Sequence, residues 1–274
     1  MNMNNFRIFV CYHKRDFIVD GDGLYPIHVG KTLSLLDLNI PGDDCADNIS
    51  SKNPWYCELT AQYWIWKNIK NASYVGLYHY RRVLDFNPSF MNRNRSYIFC
   101  KKQYFAEHCV LDKKEICKYD VVLPRIERRP LSLGDELRLH HVYHDIDILE
   151  DIIKQLYPNY YHAYDTVMNK GNKFTPCNIL IAKKEIFDDY CKWLFDILFE
   201  FEKRISVPCN PYQPRLMGFI SERLLLVYFH YHKELKIGYM PMLILHDRKN
   251  RPLILLYLKQ LICNMCFRLY NLIK

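Results

Sequence analysis

The sequence predicts an α/β fold in which helices flank a central sheet. Short runs rich in β-branched and aromatic residues, such as 6–12 and 74–78, are typical of buried strands. Longer segments, such as 184–204, carry apolar residues at helical spacing. Hydrophobic residues make up 50% of the chain and charged residues 25%, so a packed core is expected and wholesale disorder is not.

The charge and the cysteines limit the class of protein. The formal net charge of +8 favours anionic partners, which are nucleotide phosphates, an acidic membrane surface or nucleic acid. The 11 cysteines follow no repeating spacing, and the first residues lead into a strand-like run with no signal peptide before it. We therefore expect reduced thiols and a cytoplasmic protein.

The first strand is predicted at 6–12, and Tyr12, His13 and Lys14 lie at its carboxyl end. In a Rossmann-like sheet, a nucleotide would meet the first βα loop there. No G-x-G-x-x-G follows, which argues against a dinucleotide dehydrogenase, and the absence of G-x-x-x-x-G-K-[ST] argues against a P-loop NTPase. Residues 20–54 are expected to be mostly loop, with a short strand at 26–30.

Short polar side chains are dense just before the first helix. Such residues form turns and caps well, and they are equally suited to binding ribose or a base. The candidates are Asp47, Asn48, Lys52 and Asn53. A continuous helix is predicted from Asn53 to about residue 70, with Glu58 in its first turns, where a carboxylate suits the helix dipole.

The central strand at 74–78 ends in His79, Tyr80, Arg81 and Arg82. Ligands of open α/β sheets bind at the carboxyl ends of strands, so two arginines and a histidine there suggest a site for an anion, with phosphate as the best fit. The alternative is that the two arginines are solvated charges on a loop.

The middle of the chain is irregular and basic from 87 to 118, with a helix expected near 101–109 and a short strand at 119–124. Ser132 is predicted to cap a helix that carries His140 and His144, neighbours on one face. Asp145 and Asp147 follow closely. The histidine pair suggests a metal, but without H-E-x-x-H the interpretation as polar surface or acceptor-site residues is preferred.

The last third begins with a strand predicted at 178–182, followed by a helix at 184–204 with a wide apolar stripe that is interpreted as core. A further helix opens near residue 215 and carries Glu222 and Arg223. An acid between apolar neighbours is either a buried salt-bridge partner or a general base in a cleft.

The tail, 248–274, has basic residues and no acid, interspersed with apolar residues. The apolar run is too interrupted for a spanning helix, so a basic amphipathic helix on an anionic leaflet is preferred. The alternative is a helix docked on the domain or on a second subunit.

Several segments together resemble the DUF4422 family of bacterial exopolysaccharide and capsule biosynthesis glycosyltransferases. They lie between about residues 6 and 245 and are Cys11-Tyr-His-Lys14, Tyr25-Pro-Ile-His-Val-Gly-Lys31, Asp47-Asn-Ile-Ser-Ser-Lys-Asn53, Tyr56-Cys-Glu-Leu-Thr60, Tyr63-Trp-Ile-Trp-Lys-Asn68, Gly76-Leu-Tyr-His-Tyr-Arg-Arg82 and Gly218-Phe-Ile-Ser-Glu-Arg-Leu224. The resemblance implies a GT-A-like, Rossmann-related fold with a mixed central sheet over 1–245, followed by the tail at 246–274. It also implies transfer of a hexose, galactose or galactofuranose, from a UDP-sugar to a polyprenyl-linked oligosaccharide in capsule, O-antigen or exopolysaccharide synthesis.

Many GT-A enzymes hold Mn²⁺ or Mg²⁺ with Asp-x-Asp at a comparable strand end, whereas this strand ends in His79, Tyr80, Arg81 and Arg82. The hypothesis is that the arginines stabilise the leaving UDP directly and no metal cofactor is required, with Mn²⁺ or Mg²⁺ as the alternative. The donor-binding set adds Tyr12, His13, Lys14, Asp47, Asn48, Lys52 and Asn53 to these four residues.

An inverting transferase needs a base for the acceptor hydroxyl. Glu222 is the first candidate, followed by Asp145 and Asp147, and the acceptor-binding candidates are His140, His144 and Arg223.

The expected location is the inner face of the bacterial cytoplasmic membrane, and a homo-oligomer is compatible with the sequence. The competing functions are a non-catalytic scaffold or anion-binding module of a polysaccharide assembly complex and, with no recognisable motif in its favour, a nucleic-acid-binding protein.

Overall fold

The computed structural model describes residues 5–140, 143–205 and 215–273, without the side chains of residues 140 and 143. The chain clusters into two compact units. Unit 1 comprises 1–125, 177–191 and 235–250, and unit 2 comprises 126–176, 192–234 and 251–274.

The strands are numbered in chain order. They are β1 (Phe6–Tyr12), β2 (Leu24–His28), β3 (Tyr74–His79), β4 (Arg82–Leu84), β5 (Tyr97–Cys100), β6 (Val121–Pro124), β7 (Glu127–Arg128), β8 (Lys173–Phe174), β9 (Leu180–Lys183), β10 (Ile237–Met240) and β11 (Met242–Leu245).

The helices are numbered in the same way. They are α1 (Asn53–Tyr56), α2 (Leu59–Asn68), α3 (Lys102–His108), α4 (Lys113–Ile116), α5 (Leu133–His140), α6 (Tyr143–Leu156), α7 (Tyr161–Tyr164), α8 (Lys184–Arg204), α9 (Leu216–Tyr231) and α10 (Leu253–Ile273). Short 3₁₀ turns lie at Lys31–Leu33, Ser50–Lys52 and Pro158–Tyr160, and a π-helical turn lies at Asp165–Asn169.

Unit 1 is built on a mixed sheet of nine strands within the described residues. Strand β3 lies at its centre, antiparallel to β9 on one side and parallel to β1 on the other, and β2 continues the sheet in parallel beyond β1. Strands β6 and β10 follow β9. At the carboxyl end of β3 the chain turns back into β4, from which β11 and β5 extend the sheet. The predicted α/β fold with a mixed central sheet is confirmed.

Strand β3 is buried along almost its whole length because apolar and aromatic residues follow one another without a charge. Gly76 is required at its middle. A Cβ there would lie inside contact distance of the Leu180 carbonyl oxygen and 3.0 Å from Ile181 Cα on β9. The absence of a side chain lets the two strands pair closely.

The helix predicted to be continuous from Asn53 is broken. Cys57 has φ 50° and ψ −128°, which ends α1 and starts α2 one residue after Glu58. The break is held by the Asn53 amide, whose Nδ2 donates to the Cys57 carbonyl oxygen at 2.7 Å, and by Thr60 Oγ1, which donates to the same oxygen at 3.1 Å. The prediction of one helix is therefore wrong at this point.

Unit 2 is mainly helical, with the small β7–β8 ribbon within its described residues. Helix α5 begins where Ser132 Oγ accepts from the Asp135 amide at 3.1 Å, so the predicted cap is confirmed. Helix α9 is buried on almost every side, because most residues of 216–229 are apolar. The apolar stripe predicted on α8 is also buried, as expected for core.

Candidate functional site

In unit 1, the parallel pairing of β1 with β3 brings two sets of predicted residues together. Tyr80, directly after β3, is the common neighbour, with its ring centroid 5.7 Å from that of Tyr12 and 5.3 Å from that of His13. The Lys14 ammonium lies 5.8 Å from the Tyr80 ring centroid, and the Arg81 guanidinium carbon lies 5.4 Å from it. We call these five residues the Tyr80 cluster.

The members of the Tyr80 cluster differ in exposure. His13, Lys14 and Arg81 are exposed, whereas Tyr12 is fully buried. The Tyr12 hydroxyl donates to the Phe17 carbonyl oxygen at 3.1 Å and accepts from the Val19 amide at 2.6 Å. Burial also raises the pKa of Tyr12 well above its usual range. Tyr12 therefore holds the loop that presents His13 and Lys14.

The two arginines have different surroundings. Arg81 pairs with Asp16, whose Oδ2 lies 2.7 Å from Arg81 Nη2 and 2.9 Å from Nε. Arg82 is exposed at the first position of β4, after the two-residue turn formed by Tyr80 and Arg81, and has no ion pair with any residue that the structure describes. Arg82 is thus a cation whose charge is not neutralised by those residues.

His79 is held at the end of β3 by residues that the sequence did not indicate. Its Nε2 lies 2.7 Å from the Cys177 carbonyl oxygen, which only accepts, so Nε2 carries the hydrogen. Glu58 Oε1 lies 3.9 Å from the same nitrogen and accepts from Asn178 Nδ2 at 2.8 Å. Glu58 lies within one of the segments of the resemblance, and the sequence otherwise indicated it only as a carboxylate that suits a helix dipole.

Three of the five non-glycine residues with positive φ in the described part of the chain lie around His79. Cys177 has φ 76°, Asn178 has φ 48° and Cys57, the neighbour of Glu58, has φ 50°. Non-glycine residues rarely adopt positive φ, and such strain clusters at functional sites. The strain gives an independent reason to treat this end of β3 as a site.

The predicted donor residues of the loop 47–53 are engaged within their own segment. Asp47 accepts from the Tyr63 hydroxyl at 3.0 Å. Asn48 donates to the Ala46 carbonyl oxygen at 2.9 Å and accepts from the Ser50 amide at 3.1 Å. The Lys52 ammonium lies 5.8 Å from the Tyr56 ring, and Asn53 closes the helix break. These contacts match the turn-forming role considered for the loop, and its role in binding a nucleotide stays a prediction.

In unit 2, Glu222 and Arg223 belong to a cluster of charges. Glu222 lies in the second turn of α9, with Oε2 3.4 Å from Nη1 of the buried Arg223. Nη2 of Arg223 lies 3.3 Å from Glu136, which also approaches Arg129 at 3.5 Å. Both guanidinium groups lie over the Phe174 ring. Glu222 is thus paired, as the salt-bridge alternative expected.

The two aspartates of α6 are placed differently. Asp145 is 6% exposed and burial raises the pKa of its carboxyl group. Asp147 is half-exposed and accepts from Arg138 Nη2 at 2.8 Å, and its Oδ2 lies 3.7 Å from the exposed His144. The His140 side chain lies outside the described residues.

A cavity of about 610 Å³ in unit 2 was not predicted. Its lining combines charged, amide and apolar groups, and the residues are Leu131, Asp135, Arg138, Leu139, Glu150, Asn169 and Tyr270. A second cavity, of about 690 Å³, lies in unit 1 between 20–24 and 106–114 and contains none of the predicted residues.

The side chains that could act as metal ligands are His, Cys, Asp and Glu. Within 5–140, 143–205 and 215–273, no group of three His, Cys, Asp or Glu side chains is arranged to hold a metal ion. The Asp16 carboxylate beside the Tyr80 cluster is paired with Arg81. Mg²⁺ at phosphate sites can be held by one or two carboxylates together with the substrate phosphates, so transfer without a metal stays a prediction.

Comparison with known proteins identifies the family. A family model described as a domain of unknown function, DUF4422, matches residues 7–234. The chain belongs to this family. The comparison with curated proteins gave no match.

A solved structure provides the fold comparison for this DUF4422 protein. It is described as the apo structure of WbbM, a bifunctional glycosyltransferase, and it matches with a TM-score of 0.77 and 31% sequence identity. The match covers 89% of this chain and 46% of WbbM, so the chain spans about half the length of its neighbour. The predicted glycosyltransferase fold is confirmed.

Proposed function

We propose that the protein is an inverting glycosyltransferase that moves a hexose, galactose or galactofuranose, from a UDP-sugar to a lipid-linked oligosaccharide in bacterial capsule, O-antigen or exopolysaccharide synthesis. The observation that carries the proposal is the Tyr80 cluster at the carboxyl end of β3, in a fold shared with a glycosyltransferase.

The donor diphosphate binds the cations at this strand end. Arg82 and Lys14 are exposed, and the Asp16 carboxylate is occupied by Arg81. A guanidinium group can donate two parallel hydrogen bonds to a phosphate, and its charge stabilises the charge that develops on the leaving UDP. Tyr80 offers an aromatic face beside them for the base or the sugar.

The transfer step replaces one bond to the anomeric carbon with another. The acceptor oxygen loses its proton to a carboxylate and attacks the anomeric carbon, and the bond from that carbon to the phosphate oxygen breaks to release UDP. Glu222, Asp145 and Asp147 are the candidate bases. Asp145 combines burial with a raised pKa, a combination found at catalytic positions.

The acceptor saccharide is assigned to the cavity of unit 2. Its volume of about 610 Å³ is within the ordinary range for small-ligand sites. Carboxylates at Asp135 and Glu150 can accept from sugar hydroxyls, Asn169 can donate and accept, and Tyr270 provides an aromatic surface.

The deciding experiment measures UDP binding by calorimetry and UDP release from UDP-galactose and UDP-galactofuranose, with and without a polyprenyl-pyrophosphate-linked saccharide. Arg82→Ala is expected to weaken UDP binding by about tenfold or more, because a charged hydrogen bond is lost. The control is Lys70→Ala, which removes an exposed cation elsewhere in unit 1.

Equal affinities of Arg82→Ala and Lys70→Ala would contradict the donor site. Binding of UDP without turnover of any donor would favour the scaffold instead. Rates that fall to zero in EDTA and return with Mn²⁺ would show that the arginines do not replace a metal.

A further inference from the structure

Within unit 2, helix α10 contacts strand β7 through Gln260 and Asn264, and Leu256, Phe267 and Tyr270 are partly buried on the same side of the helix. Gln260 Oε1 accepts from the Arg128 amide at 2.6 Å, and Asn264 Oδ1 accepts from Arg128 Nη1 at 3.3 Å. Arg128 belongs to β7, so the contact lies near the middle of the helix.

The side of α10 turned away from β7 is exposed and mostly apolar, and Arg268 also lies on it. Leu261 is 55% exposed, Met265 is 54% exposed and Leu272 is 82% exposed. The other large apolar side chains exposed on this helix are Ile254, Leu255, Tyr257, Leu258, Ile262, Leu269 and Ile273. A helix on a water-soluble domain normally leaves few large apolar side chains exposed, so this exposed apolar side is unusual.

The charge on and around α10 indicates which partner binds its exposed apolar side. Arg248, Lys249 and Arg251 are exposed immediately before the helix, Lys259 and Arg268 lie on it, and no acid occurs in 248–274. Anionic lipid headgroups complement this charge. A second copy of α10, packed symmetrically, would bring like charges together.

The contact with β7 also decides how the helix meets a bilayer. Helix α10 is long and apolar enough to cross a membrane by length and composition alone. A spanning helix, however, would carry Lys259, Gln260 and Asn264 into the hydrocarbon layer, together with the strand residue bonded to them.

We propose that α10 is a monotopic membrane helix, which lies in the plane of an anionic bilayer surface with Gln260 and Asn264 on β7 and its exposed, mostly apolar side in the lipid. A helix of this kind buries its apolar face at the boundary between headgroups and acyl chains. The inference goes beyond the proposed transfer reaction and does not depend on it.

The test is co-sedimentation of the full chain with vesicles of phosphatidylcholine alone or mixed with phosphatidylglycerol. The protein is expected to pellet with the mixed vesicles and to be released by high salt and alkaline carbonate. The double variant Leu261→Glu/Met265→Glu is expected to bind the mixed vesicles at least about tenfold more weakly, because two apolar side chains in the lipid face become charged.

The matched control is Leu35→Glu/Val110→Glu, which places the same two charges at exposed apolar positions of unit 1 and is expected to bind like the parent. All three proteins are compared by circular dichroism and by UDP affinity, which neither variant should change. Failure of the parent to bind mixed vesicles, or equal loss in both variants, would overturn the proposal.

Two further outcomes would also overturn it. Resistance to carbonate extraction would indicate a spanning helix. A parent dimer in solution that becomes monomeric only in Leu261→Glu/Met265→Glu would show that the apolar face binds a second copy. If the parent protein does not bind UDP, the proposed donor site is wrong, while the result on membrane binding still stands.

Discussion

Adjacent arginines at the end of β3 differ in their neighbours, and this difference has a consequence for anion binding. Arg81 shares its charge with Asp16, while Arg82 does not. Asp16 also accepts from the Phe17 amide through Oδ1, which an asparagine could retain. The negative charge can therefore be removed with little change to the loop.

Asp16→Asn is expected to raise the affinity for UDP by about two- to fivefold at low salt, because Arg81 is released and one negative charge is lost. Calorimetric titration at low and high salt measures the change, which should shrink with salt. If Asp16→Asn binds UDP more weakly than the parent, the ion pair with Asp16 is needed to hold Arg81 in position for UDP.

The choice of base is tested by replacing each carboxylate with its amide. Asp145→Asn is expected to lower kcat by about a hundredfold with little change in KM, because proton removal is lost while binding remains. Burial raises the pKa of Asp145, so the parent rate should fall as pH drops through that raised pKa. If Asp145→Asn turns over normally and Glu222→Gln loses turnover, the general base is Glu222 instead.

At this scale the sequence predicted the positions of charges better than their partners. Tyr80, His13 and Lys14 could be grouped because parallel strands end at the same edge. The pairing of Asp16 with Arg81 depends on the fold of a loop, and that of Glu58 with Asn178 joins residues 120 positions apart. The hydrophobic periodicity of the sequence does not predict such contacts.

Strand pairing at the centre of the sheet gives the first prediction for an element. Gly76→Ala is expected to lower the free energy of unfolding by about 2 kcal/mol or more, because the new Cβ would press on the backbone of Leu180 and Ile181. Urea unfolding measures it, with the exposed Ser73→Ala as the control that should change little. If Gly76→Ala is as stable as the parent protein, β3 and β9 can move apart at little cost.

Asp120 joins three strands at the other side of the sheet. Its Oδ1 accepts from Nζ of Lys183, the last residue of β9, at 2.6 Å, and Oδ2 accepts from the amide of Lys236, just before β10, at 2.7 Å. The hydrogen bond from Lys183 and then that from Lys236 lower the pKa of Asp120. The ionised form therefore stabilises the folded state.

Asp120→Asn is expected to cost about 1 kcal/mol at about pH 7, since the ion pair is partly exposed. Because the folded pKa is lowered, the contribution is present above the ordinary aspartate pKa of about 3.9 and is lost as pH falls through the lowered value. Thermal unfolding from about pH 7 to about pH 2 should show the two proteins converging. A constant difference would assign the effect to packing.

The long elements were predictable, and of the short strands some were predicted, such as β6 and β9, while others were not. Helix α8 was predicted with its observed bounds, since its apolar stripe persists over 21 residues. Strands β4, β5, β10 and β11 have three or four residues, too few for a period to appear. The break at Cys57 follows from an amide contact of Asn53, which leaves no mark in the hydrophobic pattern.

Across the whole molecule, cysteine burial predicts thiol reactivity. Burial raises the pKa of Cys100 to about 11 and raises those of Cys11 and Cys191 as well. The thiolate is the reactive form, so these three should be slow. The exposed thiols include those of Cys45, Cys117 and Cys266.

Alkylation with iodoacetamide followed by peptide mapping is expected to modify Cys45, Cys117 and Cys266 in the native protein. Cys11, Cys100 and Cys191 are expected to react only in guanidinium, where burial is lost. Rapid native labelling of Cys191 would contradict the packing of α8, on which it is buried.

The position of Tyr270 has a kinetic consequence. This residue belongs to α10 and also lines the cavity proposed for the acceptor. If α10 lies in a bilayer surface as proposed, the cavity is held close to the headgroups. Enzyme and lipid-linked acceptor would then meet by lateral diffusion in two dimensions. The rate on vesicles should follow the mole fraction of acceptor in the lipid, and diluting the acceptor with inert lipid should slow transfer even when its bulk concentration is constant.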